Sequence, residues 1–305
     1  MKTKNFLKKR IDLPFNSLIK HIKNKRITLN GKKIKEESIL REGDIIKVWL
    51  DEIKLREVKK NFVSKKDLGI DVIFENEDFL VLNKLAGIVV QGAQEDEESL
   101  SLHLAYLKDK NKDTSDFEYF HVHRIDKDTS GILVCAKNRV ALRELNKIFR
   151  LRDVVKKYLC LSVGSFNKDS GEIKLKLQRN PSESREKVSV NKGEIGNFEW
   201  VKNSISKYRV LKEFMFNSET YSLVEVEIET GVTHQIRVQM KYLNHPIVGD
   251  KMYGNSFVND QFKDILNRHF LHASIIEFEY NGKKYSFEAP FTSDLENCLD
   301  KIRDL

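Results

Sequence analysis

Apolar and polar positions change period along this chain, and the changes mark its elements. In FNSLIKHIKNKRITLNGKKIK (15–35), Leu18, Ile19 and Ile22 recur at helical spacing and predict an amphipathic helix. ITLNGKKI (27–34) then reads as two short strands about Asn30-Gly31, the strongest short-range hairpin signal. GDIIKVWL (43–50) predicts a closing strand, which makes residues 1–50 a small α/β module. Residues 51–69 begin with DEIKLREVKKNFVSKK, charged and without apolar period, and read as a linker.

The body, 70–305, mixes both periods. DVIFENEDFLVLNK (71–84) predicts two strands joined at Asn76–Asp78, and SLSLHLAYLK (99–108) a helix entered at Ser99. GILVCAKN (131–138) and KKYLCLSVG (156–164) predict strands, and RVALRELNKIFR (139–150) a helix with Ala141, Leu145, Ile148 and Phe149 inward. YSLVEVEIET (221–230) alternates, with Val224, Val226 and Ile228 on one face and Glu225, Glu227 and Glu229 on the other. GVTHQIRVQMKYLNHP (231–246) predicts a helix from Thr233 with Ile236, Met240 and Leu243 inward, and ASIIEFEYNGKKYSFEAP (273–290) a second Asn-Gly hairpin. Residues 178–197 are polar and predict a mobile loop. Without regular βαβ alternation the pattern predicts an α+β fold, its sheet mixed but largely antiparallel and flanked by helices.

Charge divides the chain as the periodicity does. Residues 1–69 carry 20 Lys/Arg against 9 Asp/Glu, a net +11, while the remainder is near −3. That asymmetry predicts a polyanion-binding head on a nearly neutral body. Lys20, Lys23, Lys25 and Arg26 line the helix and the turn after it, and Lys32 and Lys33 follow the hairpin turn; these are the candidate contacts. Cys135, Cys160 and Cys298 have no pairing spacing and read as reduced thiols. With no apolar run long enough for a membrane span or a signal peptide, the expectation is a cytoplasmic protein with no membrane partner.

Candidate chemistry centres on HVHRIDKDTSG (121–131). If this stretch ends in a strand, alternation sends Arg124 and Asp126 to one face, with Thr129, Ser130 and Gly131 turning into the next strand. Asp126 then reads either as an ionised nucleophile or as a turn residue capping its own backbone. His234, Arg237 and Lys241 follow at helical spacing, a cationic stripe able to hold a carboxylate ionised or a plain solvated face. Tyr158 shares a strand face with Lys156; it reads as a base-stacking or proton-moving group, or as a core tyrosine. HRID lacks the spacing and the glycine-rich loop of a kinase, and His121, His123, His234 and His245 complete no metal-ligand spacing, so neither metal nor cofactor is expected.

Taken together these segments resemble the RluA family of RNA pseudouridine synthases. HVHRIDKDTSGILVCAKN resembles its H-R-L-D-x-x-T-S-G-L signature, LVLNKLAGIVVQGA its K-P-x-G segment and KKYLCLSVG its K-x-Y-L strand. TGVTHQIRVQMKYLNHPIVGDKMYG resembles G-R-T-H-Q-I-R followed by H-P-I-x-G-D-x-x-Y-G, and FLHA matches a late motif; the set spans about 70–293. Residues 5–50 are similar to an S4 RNA-binding domain. The resemblance implies uridine isomerisation: the C1′–N1 bond breaks, the base turns and C1′–C5 forms, with no cofactor. It makes Asp126 the nucleophile, Arg237 its ionic partner, and Tyr158 a contact to the flipped uridine that serves as the proton-transferring base. Ile236 would pack on the base, with His234 and Thr129 beside it. Arg124 would help extrude the nucleotide, and Lys156 would support the site electrostatically. Leu85 and Val232 stand where the family has Pro and Arg. Domain order resembles the branch that acts on 23S ribosomal RNA, GIVVQGA leans toward its RluC-like subgroup, and a monomer is expected. Transfer RNA, or a ribosome-assembly protein in which binding outweighs catalysis, are the alternatives.

Overall fold

The computed structural model describes residues 3, 6–7, 15–24, 26–35, 38–41, 43–49, 65–91, 98–179, 187–193 and 198–303. Two compact units divide the chain, Met1–Ser64 and Lys65–Leu305. In the first, helix α1 (Phe15–Lys23) precedes strands β1 (Ile27–Leu29), β2 (Lys32–Lys33) and β3 (Ile46–Val48) in the antiparallel order β2-β1-β3. Leu29 faces Lys32 across a two-residue loop in which Asn30 and Gly31 both have positive φ (49° and 78°), the hairpin turn expected of that dipeptide. Ile22, Ile27 and Ile34 bury their side chains together with Leu7, and the partly buried Ile19 packs on them. The side chain of Leu18 lies outside the described residues. Lys20, Lys23, Arg26, Lys32 and Lys33 are exposed, and Lys25 lies outside the described residues.

The second unit begins at Lys65, so residues 65–69 of the expected linker belong to it; 51–64 are not among the described residues. Its eleven-stranded sheet uses β4 (Asp71–Glu75), β5 (Phe79–Lys84), β6 (Phe120–His121), β7 (Ser130–Ala136) and β8 (Val154–Val163). It continues through β9 (Ser170–Arg179), β10 (Ser189–Val190), β11 (Trp200–Phe216), β12 (Glu219–Ile228), β13 (Leu271–Tyr280) and β14 (Lys283–Glu288). The order is β10-β9-β11-β12-β8-β13-β7-β5-β4, with β14 on β13 and β6 on β7. Every strand pair is antiparallel except β13 with β7, so the sheet is mixed and largely antiparallel, as the patterning implied. Helices α2 (Leu100–Lys110), α3 (Arg139–Leu151), α4 (Gln235–Tyr242), α5 (Ser256–Phe262) and α6 (Ser293–Arg303) complete the unit. The central strands β5 and β7 are buried along their whole length and therefore read as apolar runs.

Three expectations change. Residues 178–197 are not one mobile loop: Gln178 and Arg179 end β9, Val188 is buried, and Ser189–Val190 pair with β9 as an edge strand; 180–186 and 194–197 lie outside the described residues. No strand carries Arg124 and Asp126. In this stretch Phe120–His121 pair with β7 and Val122 N–H still reaches the Val134 carbonyl, but the Val134 N–H turns to the His123 ring and the strand stops there, leaving 123–129 as a loop. The helix expected from Thr233 opens at Gln235, with His234 before it in left-handed geometry. Its Gln235–Met240 segment is buried throughout, so Arg237 lies in the interior rather than on a solvated stripe; Lys241 is exposed.

Candidate active site

The loop bearing Asp126 owes its shape to buried cations beneath it. Lys84, at the end of β5, is completely buried, and its Nζ donates to the carbonyls of Leu85 (2.8 Å), Ile88 (3.1 Å) and Lys127 (2.8 Å). The Lys127 carbonyl also accepts from Gly87 N. Burial, with the like charge of Arg268 adding to it, pulls the Lys84 ammonium down to a pKa of about 7. On the other side, buried Arg268 donates to the Asp128 carbonyl (3.0 Å) while its Nε and Nη2 grip the Asp294 carboxylate at the head of α6. Thr129, also buried, bonds through its hydroxyl to His269 Nε2 at 2.9 Å. Gly131 follows at φ 109°, where an added Cβ would sit 2.2 Å from the Ala273 carbonyl oxygen; only glycine lets β7 approach β13 this closely. A loop held at 127, 128 and 129 presents the side chain just before them in one place.

That side chain, Asp126, is about a quarter exposed and is met by Arg237 and His234. Arg237 Nη1 lies 3.5 Å from Asp126 Oδ2, and His234 Nε2 lies 3.9 Å from the same oxygen. The principal partner of Arg237 is a different carboxylate. Asp250, fully buried, accepts from Arg237 Nε (2.6 Å) and Nη2 (2.9 Å) and from the backbone N–H groups of Met252 and Tyr253. Burial alone would raise the Asp250 carboxyl, but the guanidinium bonds and those N–H donors hold it below the ordinary range, while Arg237 is held firmly charged. Two of the guanidinium's nitrogens, Nε and Nη2, are thus fixed on Asp250, and the third, Nη1, is left to face Asp126. The Tyr253 ring lies 5.0 Å from the guanidinium carbon and supports it from one face.

The remaining predicted residues fall into place unevenly. Tyr158 is buried in β8 between Val226 and Ala273; burial first and the negative charge of Asp126 second push its phenol well above the ordinary tyrosine value. Ile125 and Ile236 belong to the same apolar cluster as Tyr158. Arg124 points outward to Gln91 at 3.2 Å and remains exposed. Lys156, half buried, has its charge disfavoured by burial and by Arg152, and it bears electrostatically on His123; the described contacts do not bring it to Asp126. Val232, where the family has Arg, packs in an apolar patch with Val188, Val238 and Tyr253. Among the described residues no group of three His, Cys, Asp or Glu converges as metal ligands. The groups that sequence reasoning passed over are Lys84, Asp250, Tyr253, Arg268 and His269. Each sits in a segment quoted for its resemblance or beside one, but nothing in a linear pattern says that these five converge beneath one loop.

Such an arrangement, one accessible carboxylate against a fixed guanidinium with a protonated phenol nearby, suits nucleophilic or proton-transfer work on a single bound group. Comparison with known proteins specifies the chemistry. The RNA pseudouridylate synthase family matches residues 78–242. The ribosomal large subunit pseudouridine synthase C of Escherichia coli K12 is 30% identical over 310 residues, 98% of this chain and 92% of its own. A Bacillus subtilis protein named uncharacterized RNA pseudouridine synthase YlyB is 30% identical over 286 residues, 92% of this chain and 87% of its own. Human RNA pseudouridylate synthase domain containing 1 superposes with a TM-score of 0.61 at 26% identity, covering 75% of this chain and 87% of that one. The chain belongs to the RNA pseudouridylate synthase family, enzymes that isomerise uridine to pseudouridine within RNA.

Proposed function

We propose that this enzyme modifies 23S ribosomal RNA, with Asp126 as nucleophile, Arg237 as its electrostatic partner and Tyr158 as the proton-transferring contact to the base. The observation that carries the reading is the fixed Arg237, with Nε and Nη2 bound to Asp250 and Nη1 3.5 Å from the accessible Asp126 carboxylate. The Asp126 carboxylate either attacks C1′ as the C1′–N1 bond breaks, forming an ester that the turned base later displaces, or takes the C2′ proton as uracil leaves and a glycal forms, a proton it returns when C5 joins C1′. The freed uracil turns, C5 bonds to C1′, C5 gives up its proton and N1 takes one, so atoms and charge balance with no redox change. Burial keeps the Tyr158 phenol protonated, so it meets the base as a hydrogen-bond donor and transfers the C5 proton only if its own leaves as that one arrives. Exposed Arg124 is placed to help extrude the target nucleotide, whose reacting atoms are out of reach in a stack. Ile236 packs on the base. Thr129 and His234 hold the loop and its carboxylate, and Lys156 is assigned electrostatic support of the site.

We assign residues 1–50 to an S4-like RNA-binding head with Lys20, Lys23, Arg26, Lys32 and Lys33 toward phosphate. Their support is exposure and the net +11 of residues 1–69. The near-full-length similarity to a ribosomal large subunit enzyme favours ribosomal RNA over transfer RNA. No helix among the described residues is long and apolar enough to cross a membrane; we place the enzyme in the cytoplasm as a monomer. The test is carbodiimide–primer-extension mapping of 23S RNA from wild type, a deletion strain, and that strain carrying Asp126→Asn. Stops that vanish on deletion and are not restored by Asp126→Asn identify target and nucleophile together. An unchanged 23S pattern rejects the ribosomal assignment.

A further inference from the structure

We propose that His234 is a positioning residue for Asp126, its Nε2–H turned toward the carboxylate by the Tyr253 hydroxyl, which the edge strand β10 holds in place through Val188. The inference rests on the reading of Asp126 as the nucleophile. His234 is the residue before α4 and occupies the left-handed region at φ 55°, ψ 20°. For a residue with a Cβ this backbone is disfavoured, and such strain collects at functional sites. The side chain does not cap its own helix. It reaches across to two groups instead: Nδ1 lies 3.0 Å from Tyr253 Oη, and Nε2 lies 3.9 Å from Asp126 Oδ2. The two rings meet edge to face, centroids 5.6 Å apart at 73°.

The tautomer follows from counting protons. Tyr253 is 3% exposed, and its hydroxyl oxygen accepts from Val188 N at 2.9 Å. Burial pushes this phenol to a pKa of about 12, so its own proton stays and needs an acceptor. His234 Nδ1 is the acceptor in reach. A neutral imidazole that accepts at Nδ1 carries its proton at Nε2, the nitrogen facing Asp126. Among the described residues, the other charged or titratable groups about this pair include Arg237, stacked on Tyr253, with Asp250 and His269 behind it. Asp126 is therefore met by two donors, Arg237 Nη1 and His234 Nε2, at 3.5 and 3.9 Å; both distances are of the kind that shorten when substrate closes a site. Once those distances close, two donors from different elements fix the direction of a carboxylate that Arg237 alone would leave free to swing.

The test pairs a readout that needs no turnover with one that does. In full-length protein with ¹⁵N-labelled histidine, NMR under mildly alkaline conditions should show His234 with Nε2 protonated and Nδ1 bare. In Tyr253→Phe that preference should be lost. On transcribed 23S RNA, His234→Asn and His234→Gln are then compared. Asparagine tolerates left-handed geometry best but ends near the Nδ1 position, whereas glutamine carries an amide N–H near that of Nε2. We expect His234→Asn and Tyr253→Phe to lower kcat about 10- to 100-fold with KM within a factor of about two, and His234→Gln to keep most of the wild-type kcat. A purely structural role predicts the reverse order, with asparagine the better tolerated. Full kcat in His234→Asn, or a wild-type His234 protonated at Nδ1, overturns the proposal. A wild type that forms no pseudouridine would defeat the assigned function, while the tautomer measurement would still decide the geometry.

Discussion

Lys84 offers a quantitative test of the floor beneath the catalytic loop. Its ammonium is completely buried and bonds only to three carbonyls, and its pKa falls from 10.5 to about 7 through burial and the nearby Arg268. In the unfolded chain the same lysine titrates near 10.5. Between pH 7 and 10.5 the unfolded state therefore binds the extra proton, and stability rises with pH. The cost of the buried charge is complete below about pH 7 and absent above about 10.5. A drop of this size converts to about 5 kcal/mol at about 1.4 kcal/mol per pH unit. Lys84→Met removes the titrating group. It also takes a donor from three carbonyls, of which that of Lys127 keeps Gly87 N, so absolute stability is the wrong readout and the slope against pH is the right one. Urea unfolding at several pH values across the window should show a wild-type slope steeper than that of Lys84→Met by about 1.4 kcal/mol per pH unit. Parallel slopes would mean that Lys84 keeps an ordinary pKa, and the account of a strained cationic floor would fail.

Other expectations follow from the same geometry. Asp250→Asn breaks the buried bidentate pair with Arg237 and should cost about 3–5 kcal/mol in urea unfolding; a loss under about 1 kcal/mol would show that the pair is dispensable. Arg237→Ala should abolish pseudouridine formation while leaving RNA affinity within a few-fold, measured by filter binding; a normally active variant would remove the Asp126 partnership. Gly131→Ala drives a Cβ to 2.2 Å from the Ala273 carbonyl at a positive φ and should destabilise by about 3 kcal/mol or more, seen as a lowered Tm. Removing residues 1–50 should weaken RNA binding and flatten its dependence on salt, and an unchanged salt slope would refute the basic head.

Local chemistry was legible in the chain. Asn-Gly dipeptides at 30–31 and 281–282 specified hairpins because both residues tolerate positive φ, and the structure has 49° and 78° in the first and 51° and 75° in the second. Apolar period placed α3 and β12, and Ser99 marked the start of α2. The segments about Asp126, Tyr158 and Arg237 were legible because their residue order resembles a known family, not because period or spacing revealed a site. β11, seventeen residues long, left little periodic trace because much of it is exposed, and residues 178–197 looked like loop because a two-residue edge strand has too few positions to show a period. Tertiary structure alone decided that Arg237 is held chiefly by Asp250, that Lys84 and Arg268 support the loop from opposite sides, and that His234 lies outside its helix between Tyr253 and Asp126. These pairings join positions 13 to 140 residues apart. Sequence patterning reports which face of an element is apolar; a buried charge or a polar pairing between distant segments is selected by the one arrangement that satisfies every donor and acceptor at once, and that arrangement exists only in the folded chain.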